Sequence, residues 1–214
     1  MIKAVLFDMD GTLMDTEKYL TKYQKQVMME EGYDVPLEET YQFRSLASKF
    51  SKPRYVELYG PDFPYDKVRA RRRQIMNEHI EKYGIELKPY VKEALAELRE
   101  KGYETVVVTA TNEKTALSYL EQTAIKDLFD QIVSTSMVED GKPCPDVYLY
   151  ACRKIGKTPE ECLAVEDSPN GVVSAWRAGC RVAMIPDLTG PDKDTEGKTD
   201  YVFTSMRELM DIFR

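Results

Sequence analysis

Short, uninterrupted apolar runs recur along this 214-residue chain, and they limit its fold more than any other feature of the sequence. Apolar runs without polar alternation are typical of strands buried on both faces of a parallel sheet. We predict six such strands, at residues 3–7, 104–109, 131–134, 162–165, 181–185 and 201–203.

Stretches with helical periodicity separate most of these runs. Tyr90–Lys101 places Val91, Leu95 and Leu98 on one face, and Gly102 follows as a helix-ending residue. Further helices are predicted at residues 112–122, 145–155, 168–178 and 205–213. This alternation predicts an α/β fold with a Rossmann-like, doubly wound parallel sheet.

Residues 15–84 break the alternation, because they show helical patterns almost throughout. We predict helices at 16–31, 37–50, 52–59 and 65–83, separated by glycine and proline residues. The simplest organisation is an α/β core formed by residues 1–14 and 85–214. An all-helical cap, residues 15–84, interrupts it after the first strand; we call this the cap segment.

Composition excludes several classes of protein. The net charge of −7 and the pI near 5.0 argue against a nucleic-acid partner, which usually requires a basic surplus. No apolar run approaches the ~18 residues of a membrane span, so we expect no membrane partner. The first residues leave no room for a secretory signal, and the four cysteines form no Cys-x-x-Cys pair. We therefore expect a cytoplasmic protein with free thiols.

The single histidine, His79, excludes mechanisms that need two. Helical spacing places it on one face with Val68, Arg72 and Met76, so we expect His79 to pack within a helix rather than to act in catalysis. Arg72 shares this face and should point inward or toward a cavity. Residues 44–73 hold nine basic and three acidic residues, a net +6. Such a run is either a solvated face or part of an anion-binding surface.

The first strand ends in two carboxylates, Asp8 and Asp10, with Gly11 freeing the backbone for a turn. Open α/β sheets bind ligands at the carboxyl ends of their strands, so both lie where a site is expected. An Asp-x-Asp turn alone is weak evidence, because aspartate is common in turns.

Three other strand ends and loops add to this pair. Thr109-Ala110-Thr111-Asn112 offers hydroxyl and amide groups, Lys142 lies in a proline-rich loop, and Glu166-Asp167 is a second acidic pair. Each has an ordinary explanation as a helix start. Together they provide oxygen ligands for Mg²⁺ and donors for a phosphoryl group.

These motifs, in this order, closely resemble those of the haloacid dehalogenase superfamily, in its phosphatase and β-phosphoglucomutase-like branch with a helical cap. Asp8-Met9-Asp10-Gly11-Thr12 is similar to motif I, Thr109 to motif II, Lys142 to motif III and Glu166-Asp167-Ser168-Pro169-Asn170-Gly171 to motif IV. The resemblance covers essentially the whole chain.

The resemblance implies Asp8 as the nucleophile and Asp10 as the general acid and base. It implies that Thr109 and Lys142 hold the phosphate, with Met9 and Ala110 beside it. It also implies Mg²⁺ as the cofactor, bound by Asp8, the Asp10 carbonyl and Asp167, with Glu166 assisting.

The cap segment should select the substrate. Residues 44–49 occupy the place of the family's specificity loop, and we expect Arg44, Lys49, Arg71 and Arg72 to contact a second anion. Mutases of the family carry a histidine on the first cap helix, where this chain has Tyr19-Leu20-Thr21.

We therefore expect a monomeric, Mg²⁺-dependent phosphatase acting on a small phosphorylated metabolite such as a sugar phosphate. The alternative enzyme is a β-phosphoglucomutase-like phosphoryl transferase. A non-catalytic binding module would require a lost motif, and none is lost.

Overall fold

Six parallel strands form one sheet in a computed structural model that describes residues 1–213. The strands are β1 (Ala4–Phe7), β2 (Glu104–Thr109), β3 (Gln131–Ser134), β4 (Cys162–Glu166), β5 (Arg181–Met184) and β6 (Tyr201–Val202). Their spatial order is β3-β2-β1-β4-β5-β6. All five pairings are parallel, which confirms the predicted doubly wound sheet.

Both faces of the central strand are buried. Val5 and Phe7 pack into one apolar cluster with Leu95 and Leu120, while Ala4 and Leu6 pack into another on the opposite face. The lack of polar alternation in the sequence follows from this double burial, since either face of β1 meets only apolar neighbours.

Eight α-helices accompany the sheet in the described chain. They are α1 (Glu17–Glu30), α2 (Ser48–Tyr59), α3 (Tyr65–Tyr83), α4 (Val91–Glu100), α5 (Glu113–Gln122), α6 (Asp146–Lys154), α7 (Pro169–Ala178) and α8 (Met206–Leu209). Residues of α4 and α5 cover one face of the sheet, and residues of α6 and α7 cover the other. The predicted final helix is α8 followed by a 3-10 turn, Met210–Phe213.

The predicted helices 37–50 and 52–59 are the main error of the sequence analysis. The chain forms a 3-10 helix at Leu37–Phe43, leaves helical geometry at Arg44, and resumes as α2 at Ser48. Pro53 lies inside α2, where it removes one backbone donor but does not end the helix. The break falls at Arg44, and the residues after it contact the core: the Ala47 N–H donates at 3.0 Å to the carbonyl of Lys142, in the loop before α6.

Helices α1, α2 and α3 bury an apolar cluster of their own, comprising Val27, Met28, Val35, Tyr55, Phe63, Tyr65 and Val68. On this basis we propose the boundaries 15–84 for the cap segment. His79 on α3 is half-buried, and its Nδ1 lies 2.8 Å from the Tyr23 hydroxyl. His79 therefore packs against a neighbouring helix, in agreement with the role that its helical spacing predicts.

All four cysteines are free thiols. None of the helices in residues 1–213 has the length and apolar character to cross a membrane.

The strand order places the ligand-binding crevice between β1 and β4. From β1 the chain builds outward through β2 and β3, then returns to the other side of β1 with β4. The order reverses at this point, and open α/β sheets bind ligands where it does.

The start of α7 is packed tightly against the end of β4. A Cβ atom on Gly171 would lie 1.9 Å from Glu166 Oε2, far inside van der Waals contact. Only glycine fits at position 171, because any side chain there would overlap the Glu166 carboxylate.

We predict that Gly171→Ala lowers the free energy of unfolding by ~1–3 kcal/mol, the usual cost of overpacking. We expect this loss even though alanine has a helix propensity ~1 kcal/mol more favourable than that of glycine. Gly190→Ala is the control, because nothing lies within 4 Å of the added methyl group. Urea denaturation measures both variants; equal stability of the two would contradict the packing argument.

Candidate active site

Three buried carboxylates meet at the crevice between β1 and β4. Asp8 follows β1, Glu166 ends β4, and Asp167 comes next; each is at most 1% exposed. One oxygen from each lies within 4.8 Å of the others. We call these three residues the carboxylate cluster. The structure thus brings together Asp8 and the acidic pair that lies almost 160 residues later in the sequence.

Lys142 binds directly to this cluster. Its Nζ lies 2.5 Å from Asp8 Oδ1 and 2.7 Å from Glu166 Oε1, and donates to the Val108 carbonyl at 3.1 Å. All three ammonium hydrogens thereby have an acceptor, although the side chain is fully buried. Burial would lower the pKa of Lys142, but the charges of Asp8 and Glu166 outweigh it and raise the pKa above its usual range. Lys142 is therefore charged at neutral pH.

Tyr148, on α6, is a member of this network that sequence analysis missed. Its hydroxyl donates to Glu166 Oε1 at 2.5 Å, and its ring lies 5.4 Å from Lys142 Nζ. Burial, followed by the charge of Glu166, raises the pKa of Tyr148 well above its usual value, which keeps the hydroxyl a donor. In the sequence, Tyr148 is part of the apolar pattern of a helix, and nothing in that pattern indicates that its hydroxyl contacts a carboxylate.

Asp10 is held by two hydroxyl groups. Thr16 donates to Oδ1 and Thr111 donates to Oδ2, each at 2.7 Å. These bonds orient the carboxyl group by fixing both of its oxygens. Thr111 lies in the hydroxyl-rich turn that the sequence analysis identified after β2. Thr16 immediately precedes α1, where a threonine is expected simply as the start of a helix.

Thr109 is fully buried at the end of β2, and its hydroxyl accepts the Thr111 N–H at 3.0 Å. Ala110, next in the chain, lines the cavity above Asp8, while Met9 is fully buried. The four strand-end motifs therefore converge, as the sequence predicts. Their individual roles are taken up under the proposed function.

Burial dominates the electrostatics of the acidic groups. It raises the pKa of Asp8 to about 8, against the lowering effect of Lys142 and with a further rise from Glu166. It also raises the pKa of Asp167 well above the usual value, with Asp8 as the next contribution. The carboxylates repel one another in a dry environment, so a further cation would favour their ionised forms.

A divalent cation fits this arrangement. Asp8 Oδ2, Glu166 Oε2 and Asp167 Oδ1 are each buried without a hydrogen-bond partner. Three orphaned carboxylate oxygens on adjacent side chains are the hard, anionic donors that Mg²⁺ prefers. The residues present thus suit the metal that the motifs imply.

Arg44 closes the site from the cap segment. Its Nη1 lies 2.8 Å from Asp167 Oδ2, both side chains are almost completely buried, and Nη2 donates to the Thr189 hydroxyl. The Asn170 side-chain amide also donates to the Arg44 carbonyl at 2.8 Å. Arg44 therefore faces the carboxylate cluster rather than the far end of the cavity, where a second anion was expected.

The other predicted cap contacts lie in different places. Lys49 is exposed and pairs with Asp140 at 2.6 Å, although it borders the cavity. Arg71 is exposed outside the cavity lining, with Nε 3.7 Å from Glu30. The structure does not bring Arg71 to the site, because this residue lies on the outer face of α3. Arg72 lines the cavity, as its helical position predicts.

The cavity above Asp8 measures about 450 Å³, in the range of small-molecule sites. It contains Glu17, a buried carboxylate that sequence analysis missed. Burial, and next the charge of Asp10, raise the pKa of Glu17 to about 8. The sequence did not distinguish Glu17 as a site residue, because an acidic residue is common in the first turn of a helix.

A family model described as haloacid dehalogenase-like hydrolase matches residues 5–185. The chain is 31% identical over 192 residues to the putative phosphatase YhcW of Bacillus subtilis, covering 89% of this chain and 86% of the relative. It is 30% identical over 181 residues to a phosphorylated carbohydrates phosphatase of Thermotoga maritima, covering 83% and 82%.

A solved structure of CbbY from Rhodobacter sphaeroides, in complex with xylulose-1,5-bisphosphate, superimposes with a TM-score of 0.81 at 26% identity. The match covers 98% of this chain and 96% of that one. Sequence and structure agree, and the chain belongs to the haloacid dehalogenase-like hydrolases.

Proposed function

We propose that this hydrolase is a Mg²⁺-dependent phosphatase that cleaves a small phosphorylated metabolite, a sugar phosphate among the candidates, through an aspartyl-phosphate at Asp8. The observation that carries the proposal is the contact between Lys142 and Asp8 inside a carboxylate cluster with unpartnered oxygens. A carboxylate beside a fixed cation can approach an anionic phosphoryl group that would otherwise repel it.

In the first step, Asp8 attacks phosphorus and the bond to the ester oxygen breaks. Asp10 donates a proton to the leaving oxygen, giving the free alcohol. The charge of Lys142 is already in place, so it stabilises the transferring phosphoryl group without reorganisation. The hydroxyl of Thr109 and the backbone around Met9 and Ala110 supply further donors in this proposal.

In the second step, Asp10 accepts a proton from water, and the water attacks phosphorus. The bond to Asp8 breaks, which releases phosphate and restores the carboxylate. Splitting one difficult displacement into two is the advantage of covalent catalysis. Thr16 and Thr111 position Asp10 in both steps, since they fix both of its oxygens.

When bound, Mg²⁺ would lower the negative charge of the site and polarise the phosphoryl group. Asp8, Asp167 and the Asp10 carbonyl would hold it, with Glu166 assisting. The orphaned oxygens of the cluster support this ligand set. Arg44 and the residues around it keep water from the carboxylates, which strengthens the electrostatic interactions inside.

The proposed function is tested by measuring phosphate release from a panel of sugar phosphates in Mg²⁺, for the natural chain and Asp8→Asn. Asp8→Asn should abolish turnover, because the attacking carboxylate is gone, and keep its fold, because asparagine has the same shape and Glu166 still pairs with Lys142. Asp62→Asn, on an exposed side chain, is the matched control and should retain full activity. Phosphate release by folded Asp8→Asn at the natural rate would refute the mechanism.

The same assay separates the phosphatase from the mutase alternative. Leu20 lines the cavity from the helix on which the family's mutases carry a histidine. We expect steady hydrolysis, with no conversion of β-glucose 1-phosphate to glucose 6-phosphate when a bisphosphate primer is supplied. Primer-dependent isomerisation that outruns hydrolysis would establish the mutase.

The role of Asp10 predicts a dependence on the leaving group. Asp10→Asn should lose ~10²-fold or more in kcat with an alkyl phosphate, the usual contribution of general acid catalysis. The loss should be smaller with p-nitrophenyl phosphate, whose leaving group needs little protonation. Equal losses with both substrates would show that Asp10 has another role.

The metal assignment predicts a change in affinity. Asp167→Ala should raise the Mg²⁺ dissociation constant measured by calorimetry, and raise the Mg²⁺ concentration needed for half-maximal activity, because one oxygen ligand is gone. Asp62→Ala should change neither. Full activity of the natural chain after exhaustive treatment with EDTA would contradict a metal requirement.

A further inference from the structure

Each member of the carboxylate cluster binds an internal cation through one oxygen and keeps the other oxygen free. Lys142 binds Asp8 Oδ1 and Glu166 Oε1. Arg44 binds Asp167 Oδ2 at 2.8 Å. The second oxygen of each carboxylate is buried without a hydrogen-bond partner. Lys142 and Arg44 are therefore the counter-ions of a cluster that still offers three oxygens to a metal.

The two counter-ions differ in the part of the molecule that carries them. Lys142 lies in the core, in the loop before α6, whereas Arg44 is the only cation of the cap segment that pairs with the cluster within residues 1–213. Arg44 Nη2 donates to the Thr189 hydroxyl, and the Arg44 carbonyl accepts from the Asn170 amide at 2.8 Å. Separating the cap segment from the core would therefore remove the counter-ion of Asp167 and leave Lys142 in place.

The Asp167 carboxylate is sealed from solvent in this closed arrangement. Its side chain is fully buried, and so is its free oxygen, Oδ1. Asp8 lines the cavity, whereas Asp167 does not. The Ala47 N–H donates to the Lys142 carbonyl at 3.0 Å, which holds the loop that carries Arg44 against the core. A hydrated ion therefore gains access to Asp167 only after the residues around it have moved.

A metal at the cluster would compete with Arg44 rather than depend on it. A guanidinium and a divalent cation bound to one carboxylate repel each other, and solvent and salt screen buried charges only weakly. Asp167 does not need Arg44 to stay in place, because the core confines the same oxygen: a Cβ atom on Gly11 would lie 2.4 Å from Asp167 Oδ2. Loss of the Arg44 contact would thus remove a repelling charge and leave the carboxylate held by the core.

We propose that Arg44 is a latch: it holds the cap segment closed over the metal-free cluster, and Mg²⁺ releases it by competing for Asp167. The inference rests on the metal site of the proposed function, but it does not depend on phosphate release. Coupling between two bound groups is reciprocal, so a metal that weakens the Arg44 contact must bind more tightly when Arg44 is absent. The metal-loaded chain is then the open form that admits a substrate.

The first test measures the Mg²⁺ dissociation constant by calorimetry, for the natural chain, Arg44→Gln and Lys49→Gln. Lys49→Gln is the matched control, because it removes an ion pair between the same loop and the core, with Asp140, away from the cluster. We expect Arg44→Gln to bind Mg²⁺ about tenfold more tightly, within the usual range of coupling between sites. Lys49→Gln should bind Mg²⁺ as the natural chain does. Thermal melting confirms that each variant folds.

The second test follows the latch itself by hydrogen exchange of residues 44–47, since the Ala47 N–H is protected only while this loop contacts the core. Mg²⁺ should speed this exchange about tenfold in the natural chain, the same factor by reciprocity. In Arg44→Gln the exchange should be fast without Mg²⁺ and change little with it. Thr189→Val, which removes one partner of Arg44 and no charge, should shift exchange and Mg²⁺ affinity in the same directions by a smaller factor. This variant decides the question if Arg44→Gln does not fold.

The outcomes separate the latch from the proposed function. Equal or weaker Mg²⁺ binding by folded Arg44→Gln would show that Arg44 positions Asp167 for the metal, and would overturn the latch alone. Exchange that Mg²⁺ leaves unchanged or slows in the natural chain would overturn it as well. A natural chain that binds no Mg²⁺ would refute the metal site and the latch together. Tighter Mg²⁺ binding by Arg44→Gln, in a chain that hydrolyses no phosphate ester, would support the latch and refute the phosphatase.

Discussion

The contact of Lys142 with Asp8 and Glu166 is the interaction on which the rest of the site depends. Burying an ion without a partner is costly, and here a lysine and two carboxylates are buried together with every ammonium hydrogen satisfied. The contact joins the end of β1, the end of β4 and the loop before α6. With the bond from Lys142 to the Val108 carbonyl of β2, it links all four segments that carry the predicted motifs.

The balance of charge in this region remains negative after Lys142 and Arg44 are counted. Five carboxylates lie in or beside the crevice: Asp8, Asp10, Glu17, Glu166 and Asp167. Two fixed cations cannot neutralise them. Burial, and after it the charges of neighbouring carboxylates, raise the pKa of Asp8, Glu17 and Asp167. A divalent cation would remove most of the excess, and would make the crevice able to accept an anionic substrate. In the proposed function, metal binding and phosphate binding would therefore depend on the same distribution of charge.

The sheet could be predicted because its signal is local. Each apolar run is long enough to identify a buried strand, and ligand chemistry at strand ends follows from the topology. The same reasoning predicted that Asp8, Lys142 and Asp167 lie at one edge of the sheet. The motif order also allowed the family to be identified without any structure.

The contacts of the site could not be predicted in the same way. Arg44 and Asp167 are 123 positions apart, and nothing local in either segment indicates that they pair. Tyr148 and Thr16 are ordinary helix residues until the fold turns their hydroxyls toward Glu166 and Asp10. The break at Arg44 was missed because the residues after it hydrogen-bond to a distant loop, at Lys142, and nothing in their own sequence indicates that contact.

The partners of the basic residues distinguish two uses of positive charge in the cap segment. Arg44 and Lys49 pair with carboxylates of the core, so their charges contribute to seating the cap on the sheet. Lys52, Lys67 and Arg71 pair with acidic residues within the cap itself, at exposed positions where each pair contributes little to stability. Arg72 belongs to neither group, because its Nε is buried without an acceptor and its side chain lines the cavity. The net charge of +6 over residues 44–73 therefore does not mark one surface: part of it holds the cap on the core, part is paired within the cap, and Arg72 faces the cavity.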